Sequence, residues 1–271
     1  MKLRLIREKT SVGAVPLLIL RPKRASEKLP GLLWIHGGGY SSGMPAMALV
    51  SRAREAAEKY GAVVISPGYR LSGRAPYPAA LEDCMSALRY MKDNAERLGI
   101  RDDQLFVGGE SAGGGLAAAL CMLALDSGGP AVAGHFPLYP MLYFGDTPSS
   151  RDNHGHMWNT RKNHAAWKKY LRSLKKGEPV PQYASPALRE DMTGMPPAYT
   201  FVGDGEPFYC ETLEYAEKLR RAGAEAEADV FHTDVHGFDL LLPMSKSAKL
   251  AREAFNRHFA YAKEHWFAEQ P

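Results

Sequence analysis

Cysteine is scarce in this chain of 271 residues. There are three, Cys84, Cys121 and Cys210, odd in number, far apart and without Cys-x-x-Cys or Cys/His ligand spacing. That excludes a disulfide framework and a structural zinc site, and it points to reduced, mostly buried thiols in a cytoplasmic protein. Long apolar runs are missing too, since none approaches the ~20 residues a bilayer span needs. The opening residues, MKLRLIREKTSVGAVPLLIL, are broken by Arg7, Glu8 and Lys9 and offer no small-residue cleavage site before Pro22. They are expected to form two strands of a hairpin, not a signal peptide. Charge of one sign is not in large excess either, with 34 basic residues against 30 acidic. A formal charge of +4 serves solubility and is no nucleic-acid footprint. Internal repeats and low-complexity tracts are absent.

What is present is an alternation of short apolar runs with amphipathic segments, the rhythm of βαβ units and a mostly parallel sheet. After the hairpin, strands are predicted over 31–36, 62–66, 104–109, 131–139, 197–203 and 227–232, and helices over 46–60, 78–98, 111–125, 208–222 and 245–267. Gly223, following basic residues, reads as a helix stop. The length suits one α/β domain. The interval 145–190 breaks the rhythm. In it Ala166, Trp167, Tyr170, Leu171 and Leu174 recur at helical spacing, with Lys168, Lys169, Arg172, Lys175 and Lys176 on the other side. It is read as an inserted amphipathic helix over the end of the sheet, its lysines a solvated face. His154 and His156 lack further ligands at metal-binding spacing, so no metal is expected.

The stretch LFVGGESAGGGLA, Leu105 to Ala117, holds the chemistry. Gly109 to Gly113 form Gly-x-Ser-x-Gly, placed where a strand runs directly into a helix. A tight turn there lifts the Ser111 hydroxyl above the sheet edge, and glycines on either side avoid collision with neighbouring backbone. A serine hydroxyl needs a base in hydrogen-bond reach and a third group to orient that base. With the order serine, acid, histidine, the loop HTDVHGFD after the last strand supplies His236, with His232 the weaker choice. The turn FVGDGEPFYCET, following the preceding strand, offers both Asp204 and Glu206 as the acid; the one not used is a helix-start carboxylate favoured by the dipole. The glycines of WIHGGGY let backbone N–H groups point at an anionic oxygen.

Together HGGGY (36–40), GESAGG (109–114), the EPF turn (206–208) and HGF (236–238) resemble the hormone-sensitive-lipase-like esterases of the α/β-hydrolase fold. YRLSGRAPYPAALEDC (69–84) resembles that family's YRLAPE segment, so the likeness covers nearly the whole chain. The resemblance implies an α/β-hydrolase fold and cofactor-free hydrolysis of small, short-chain carboxylic esters. It implies Ser111 as nucleophile, His236 as base, Glu206 as acid where the family usually has aspartate, and the N–H groups of Gly38, Gly39 and Ala112 as the oxyanion hole. Asp204 stays open as the alternative acid. Ser72, Gly73 and Arg74 stand in place of Ala-Pro-Glu. With the oxyanion strand beginning by residue 31, there is no room for the family's long N-terminal cap, so the acyl pocket is expected under the 145–190 insertion. Tyr40, Glu110 and Trp158 are candidate pocket residues; Trp167 is a candidate wall residue better read as core. Other leaving groups on the same triad (peptidase, amidase, deacetylase) and a receptor that has lost catalysis are the competing readings. The final strand edge and the C-terminal HWFAEQP suggest a possible homodimer.

Overall fold

The computed structural model describes residues 3–23, 27–175 and 177–271, so Lys176 lies outside the described residues. The N-terminal segment forms the hairpin β1 (Leu5–Val12) and β2 (Val15–Pro22). Six more strands follow: β3 (Leu29–Ile35), β4 (Val63–Pro67), β5 (Ile100–Glu110), β6 (Gly134–Leu138), β7 (Ala198–Gly203) and β8 (Ala226–Phe231). They lie in one sheet of order β1-β2-β4-β3-β5-β6-β7-β8. Pairing is antiparallel from β1 through β2 to β4 and parallel from there to β8.

Both faces of the central strands are apolar, as a sheet covered on both sides requires. Along β3 and β5 successive side chains divide between two cores. Leu33, Ile35, Leu105 and Val107 go to one, and Leu32, Trp34 and Phe106 to the other. The first core is covered by α2 (Ala79–Asp93), α4 (Ala112–Asp126) and α6 (Tyr209–Arg221), the second by α1 (Arg52–Tyr60) and α8 (Lys246–His265).

Two predicted helices come out shorter, each for a local reason. The 46–60 helix is a 3₁₀ turn at Pro45–Leu49 and then α1, because the Ser51 hydroxyl accepts from Ala53 N–H and restarts the helix. The 78–98 helix ends at Asp93, where the Asn94 side chain donates to Tyr90 O, and a single turn, α3 (Ala95–Leu98), follows. The insertion helix α5 runs over Thr160–Tyr170, earlier than its apolar spacing predicted. Asn159 caps it by accepting from Lys162 N–H, while Leu171 and Leu174 fall in the turn beyond. A four-residue helix after the last strand, α7 (Phe238–Leu241), was not anticipated. Gly223 stands just past α6 at φ +85°, as its stop. Among the described residues no helix is long and apolar enough to cross a membrane.

Candidate active site

Ser111 sits between β5 and α4 at φ 57°, ψ −120°, a strained backbone for a residue with a side chain. Neighbouring chain holds it there: its N–H donates to Leu138 O at 3.0 Å and its carbonyl accepts from Met141 N–H at 3.0 Å. The turn also requires glycine at 113, where a Cβ would overlap the carbonyl oxygens of Ile35 and His36. Strand β5 therefore delivers the serine at the carboxyl edge of the sheet, against the loop that follows β3.

His236 comes from the loop after β8 and Glu206 from the turn after β7. Nε2 of His236 lies 2.8 Å from Ser111 Oγ, and its Nδ1 lies 2.5 Å from Glu206 Oε2. The second oxygen of Glu206 accepts from Gly203 N–H at 2.8 Å, which fixes the carboxylate while it is fully buried. Tyr139 and Phe208 present ring edges to the imidazole at 5.2 and 5.1 Å. Asp204 is only two residues from Glu206 yet turns outward. It accepts from Thr233 N–H and pairs with the exposed ring of His232 at 2.8 Å, and this pairing holds its carboxyl below the ordinary value. Neither Asp204 nor His232 joins the Ser111 cluster.

The His36–Tyr40 turn lies across from the serine. It is tied down by Ser41 and Ser42 N–H donating to Gly38 O and by Tyr69 OH donating to His36 O. The N–H groups of Gly38, Gly39 and Ala112 donate to no acceptor among the described residues. Such unspent donors beside a serine hydroxyl are what an oxyanion requires.

A cavity of 280 Å³ opens over this cluster, lined by Gly37, Gly38, Gly39, Ser111 and His236 with Met47, Tyr139, Met157, Trp158, Leu240 and Leu241, and bordered by Glu110. Trp158, from the insertion, stands against the glycine turn: a Cβ on Gly39 would lie 2.5 Å from its Cη2. Tyr40 is not a wall of this cavity. Its ring is buried in the core, stacked on Tyr170 at 3.9 Å and next to Trp167 at 5.5 Å, and its hydroxyl donates to Met141 O. Being large, apolar and next to the glycine turn, it serves the packing of α5. Met47, Tyr139, Met157, Leu240 and Leu241 were not foreseen; only the position of Met47 after the glycine turn and of the two leucines after His236 marks them in the sequence.

Larger clefts exist elsewhere, such as one of 560 Å³ lined by Asp152, Asn153, His154 and His164, but no nucleophile faces a base there. One trio, Glu227, Asp229 and His258, brings potential metal-ligand atoms within 4.8 Å of one another on β8 and α8. Asp229 already accepts from Tyr199 OH, and His258 stacks on the Tyr199 ring. Glu227 and Asp229 stand on the outer strand and His258 on α8, and none of the three lines the serine cavity.

Comparison with known proteins shows the family and the fold. Residues 32–240 match the model of a family described as having the alpha/beta hydrolase fold. Carboxylesterase NlhH of Mycobacterium tuberculosis is 31% identical over 242 residues, which are 86% of this chain and 75% of that protein. An acetyl-hydrolase of Streptomyces hygroscopicus is 29% identical over 256 residues, covering 91% of this chain and 81% of its own. Among solved structures, a bacterial heroin esterase superposes with a TM-score of 0.89 at 30% identity, over 96% of this chain and 84% of that one. The chain belongs to the α/β-hydrolase-fold family, in its hormone-sensitive-lipase-like group of carboxylic ester hydrolases.

Proposed function

We propose that this protein is a serine carboxylesterase that cleaves short-chain esters, acetyl to butyryl, through an acyl-enzyme on Ser111. The carrying observation is the unbroken hydrogen-bond chain from Ser111 through His236 to Glu206 at the base of an apolar cavity. In the first step Ser111 Oγ attacks the ester carbonyl carbon while His236 Nε2 takes the hydroxyl proton. Glu206 holds the Nδ1–H tautomer and balances the imidazolium that forms. The carbonyl oxygen, now negative, is received by the N–H groups of Gly38, Gly39 and Ala112, each donor of this kind being worth ~3–4 kcal/mol. His236 then returns the proton to the leaving alcohol. Water, deprotonated in turn by His236, attacks the acyl carbon and frees the acid and the serine.

The limit on acyl length rests on space. A cavity of 280 Å³ falls just below the ~300–1,000 Å³ typical of small-molecule sites, and Trp158 and Met157 from the 145–190 lid narrow it. The name of the Streptomyces relative, an acetyl-hydrolase, points the same way. The test is a series of p-nitrophenyl esters from acetate to decanoate. The expected result is a kcat/KM maximum between acetate and butyrate, abolished by Ser111→Ala with the circular dichroism spectrum unchanged. A maximum at octanoate or beyond refutes the acyl limit, and activity retained by the alanine variant refutes the nucleophile.

The same reading takes residues 1–271 as one catalytic domain working in the reducing cytoplasm. In its favour, Cys84, Cys121 and Cys210 are free thiols. A homodimer through the outer edge of β8 is part of the proposal, since β8 ends the sheet with one side unpaired.

A further inference from the structure

Behind the nucleophile lies a buried charged cluster that the mechanism above does not use. Glu110, the residue before Ser111, is 2% exposed, and neither of its carboxyl oxygens has a hydrogen-bond partner. Arg52, at the start of α1, is the buried cation nearby, but its bonds go elsewhere. Its NH1 donates to Glu55 Oε1 at 2.7 Å, while its Nε lies 3.1 Å from Asp239 Oδ2, an ion pair without hydrogen-bond geometry. Asp239 follows His236 by three residues and also accepts from Tyr139 OH at 2.8 Å, and the Tyr139 ring edges onto the His236 imidazole. Glu55 is further neutralised by Arg252 and Lys59. The groups facing Glu110 are thus the Asp239 carboxylate from α7, the Arg52 guanidinium from α1, the Tyr139 phenol after β6 and the Trp34 indole from β3, the last without hydrogen-bond geometry. One guanidinium stands between two buried carboxyl groups, with its ion-pair contact to Asp239 and its hydrogen bond to Glu55.

Resting on the serine-esterase reading, we infer that Glu110 is a positioning residue that works as a neutral carboxylic acid, and that turnover is lost when its proton leaves. A buried carboxylate that accepts no hydrogen bond and shares its one nearby cation with Asp239 is unfavourable, so the fold retains the proton. Burial, with the Asp239 charge adding to it, pushes the Glu110 carboxyl up to about 8, while Arg52 opposes that shift. The reaction supplies the second half of the argument. The tetrahedral intermediate places a negative oxygen at the N–H group of Ala112, two residues from Glu110, in a cavity with mainly apolar walls. A charge on Glu110 would repel that oxyanion through the same low-dielectric medium and would draw Arg52 away from Asp239, loosening the Tyr139 contact with His236.

The test is the pH profile of kcat for a soluble acetyl ester, corrected for spontaneous hydrolysis. The wild-type enzyme is expected to lose activity roughly tenfold above about pH 8. Glu110→Gln, which fixes the neutral form, is expected to hold kcat level across that range. Asp239→Asn releases Arg52 to Glu110, so its alkaline limb is expected at lower pH than the wild type's. A group with only a structural role would scale kcat equally at every pH. Superimposable alkaline limbs in wild type and Glu110→Gln overturn the inference. If Glu110→Gln fails to fold, an unmoved limb in Asp239→Asn overturns it equally. Failure of the underlying esterase reading looks different: Ser111→Ala would keep its activity whatever Glu110 does.

Discussion

The Ser111 hydroxyl and the Nε2 nitrogen of His236 lie 2.8 Å apart although 125 residues separate them in the chain. The parallel sheet brings this about, since β5 and β8 end at the same edge and each hands its side chain to the loop above. Glu206 completes the line from β7, the strand paired with β8.

That geometry separates the two carboxylates of the acid turn. Glu206→Gln is expected to lower kcat by about 10⁴-fold, because the histidine loses both its tautomer and its counter-charge. Asp204→Asn breaks a pair with an exposed histidine and is expected to change kcat less than about twofold. Steady-state kinetics on purified variants, with thermal melts as a control for folding, decides between them.

Trp158 stands between the glycine turn and the histidine, its ring 6.1 Å from the imidazole. Truncation to alanine opens the cavity toward the lid. The ratio of kcat/KM for hexanoate over acetate is expected to rise about tenfold, the order of one or two methylenes in an apolar pocket. An unchanged ratio would move the length limit away from Trp158.

Much of this was legible in the sequence, and the exceptions share a cause. The strand, the turn with its glycines and the helix around Ser111 are written in adjacent residues, and so are the loops carrying His236 and the two carboxylates. Which carboxylate faces the imidazole came only from the family resemblance, which pointed to Glu206, because Asp204 and Glu206 occupy one turn and their directions depend on what the neighbouring loop offers: an exposed His232 to one, Gly203 N–H and His236 to the other. Tyr40 misled for the same reason. Its position after the glycines suggests a cavity wall, whereas the partners that take its ring, Trp167 and Tyr170, come from α5 more than a hundred residues later. The Arg52–Asp239 pair joins α1 to α7 and leaves no local pattern at all.

A buried carboxyl in α6 gives the molecule a pH dependence of stability. Glu211 is 1% exposed, and burial pushes its carboxyl up to about 8 although Leu142 and Tyr143 N–H donate to it. Its folded-state value lies above the unfolded ~4.3, so the native state binds the extra proton. The stability it contributes is complete below the unfolded value and is lost as pH rises through about 8. Melting temperature is expected to fall from pH 5 to pH 8, and Glu211→Gln is expected to flatten that slope by up to about one proton's worth. Parallel slopes in the two proteins would show that Glu211 ionises normally.

The most direct measurement is the intact mass and peptide map after reaction with a fluorophosphonate, which traps a serine only when it is activated and lies beside an oxyanion site. One phosphonyl group per chain is expected, on Ser111, absent from Ser111→Ala and formed far more slowly in Glu206→Gln. An unlabelled wild-type chain, or an adduct on another residue, would contradict the assignment of Ser111 as the nucleophile.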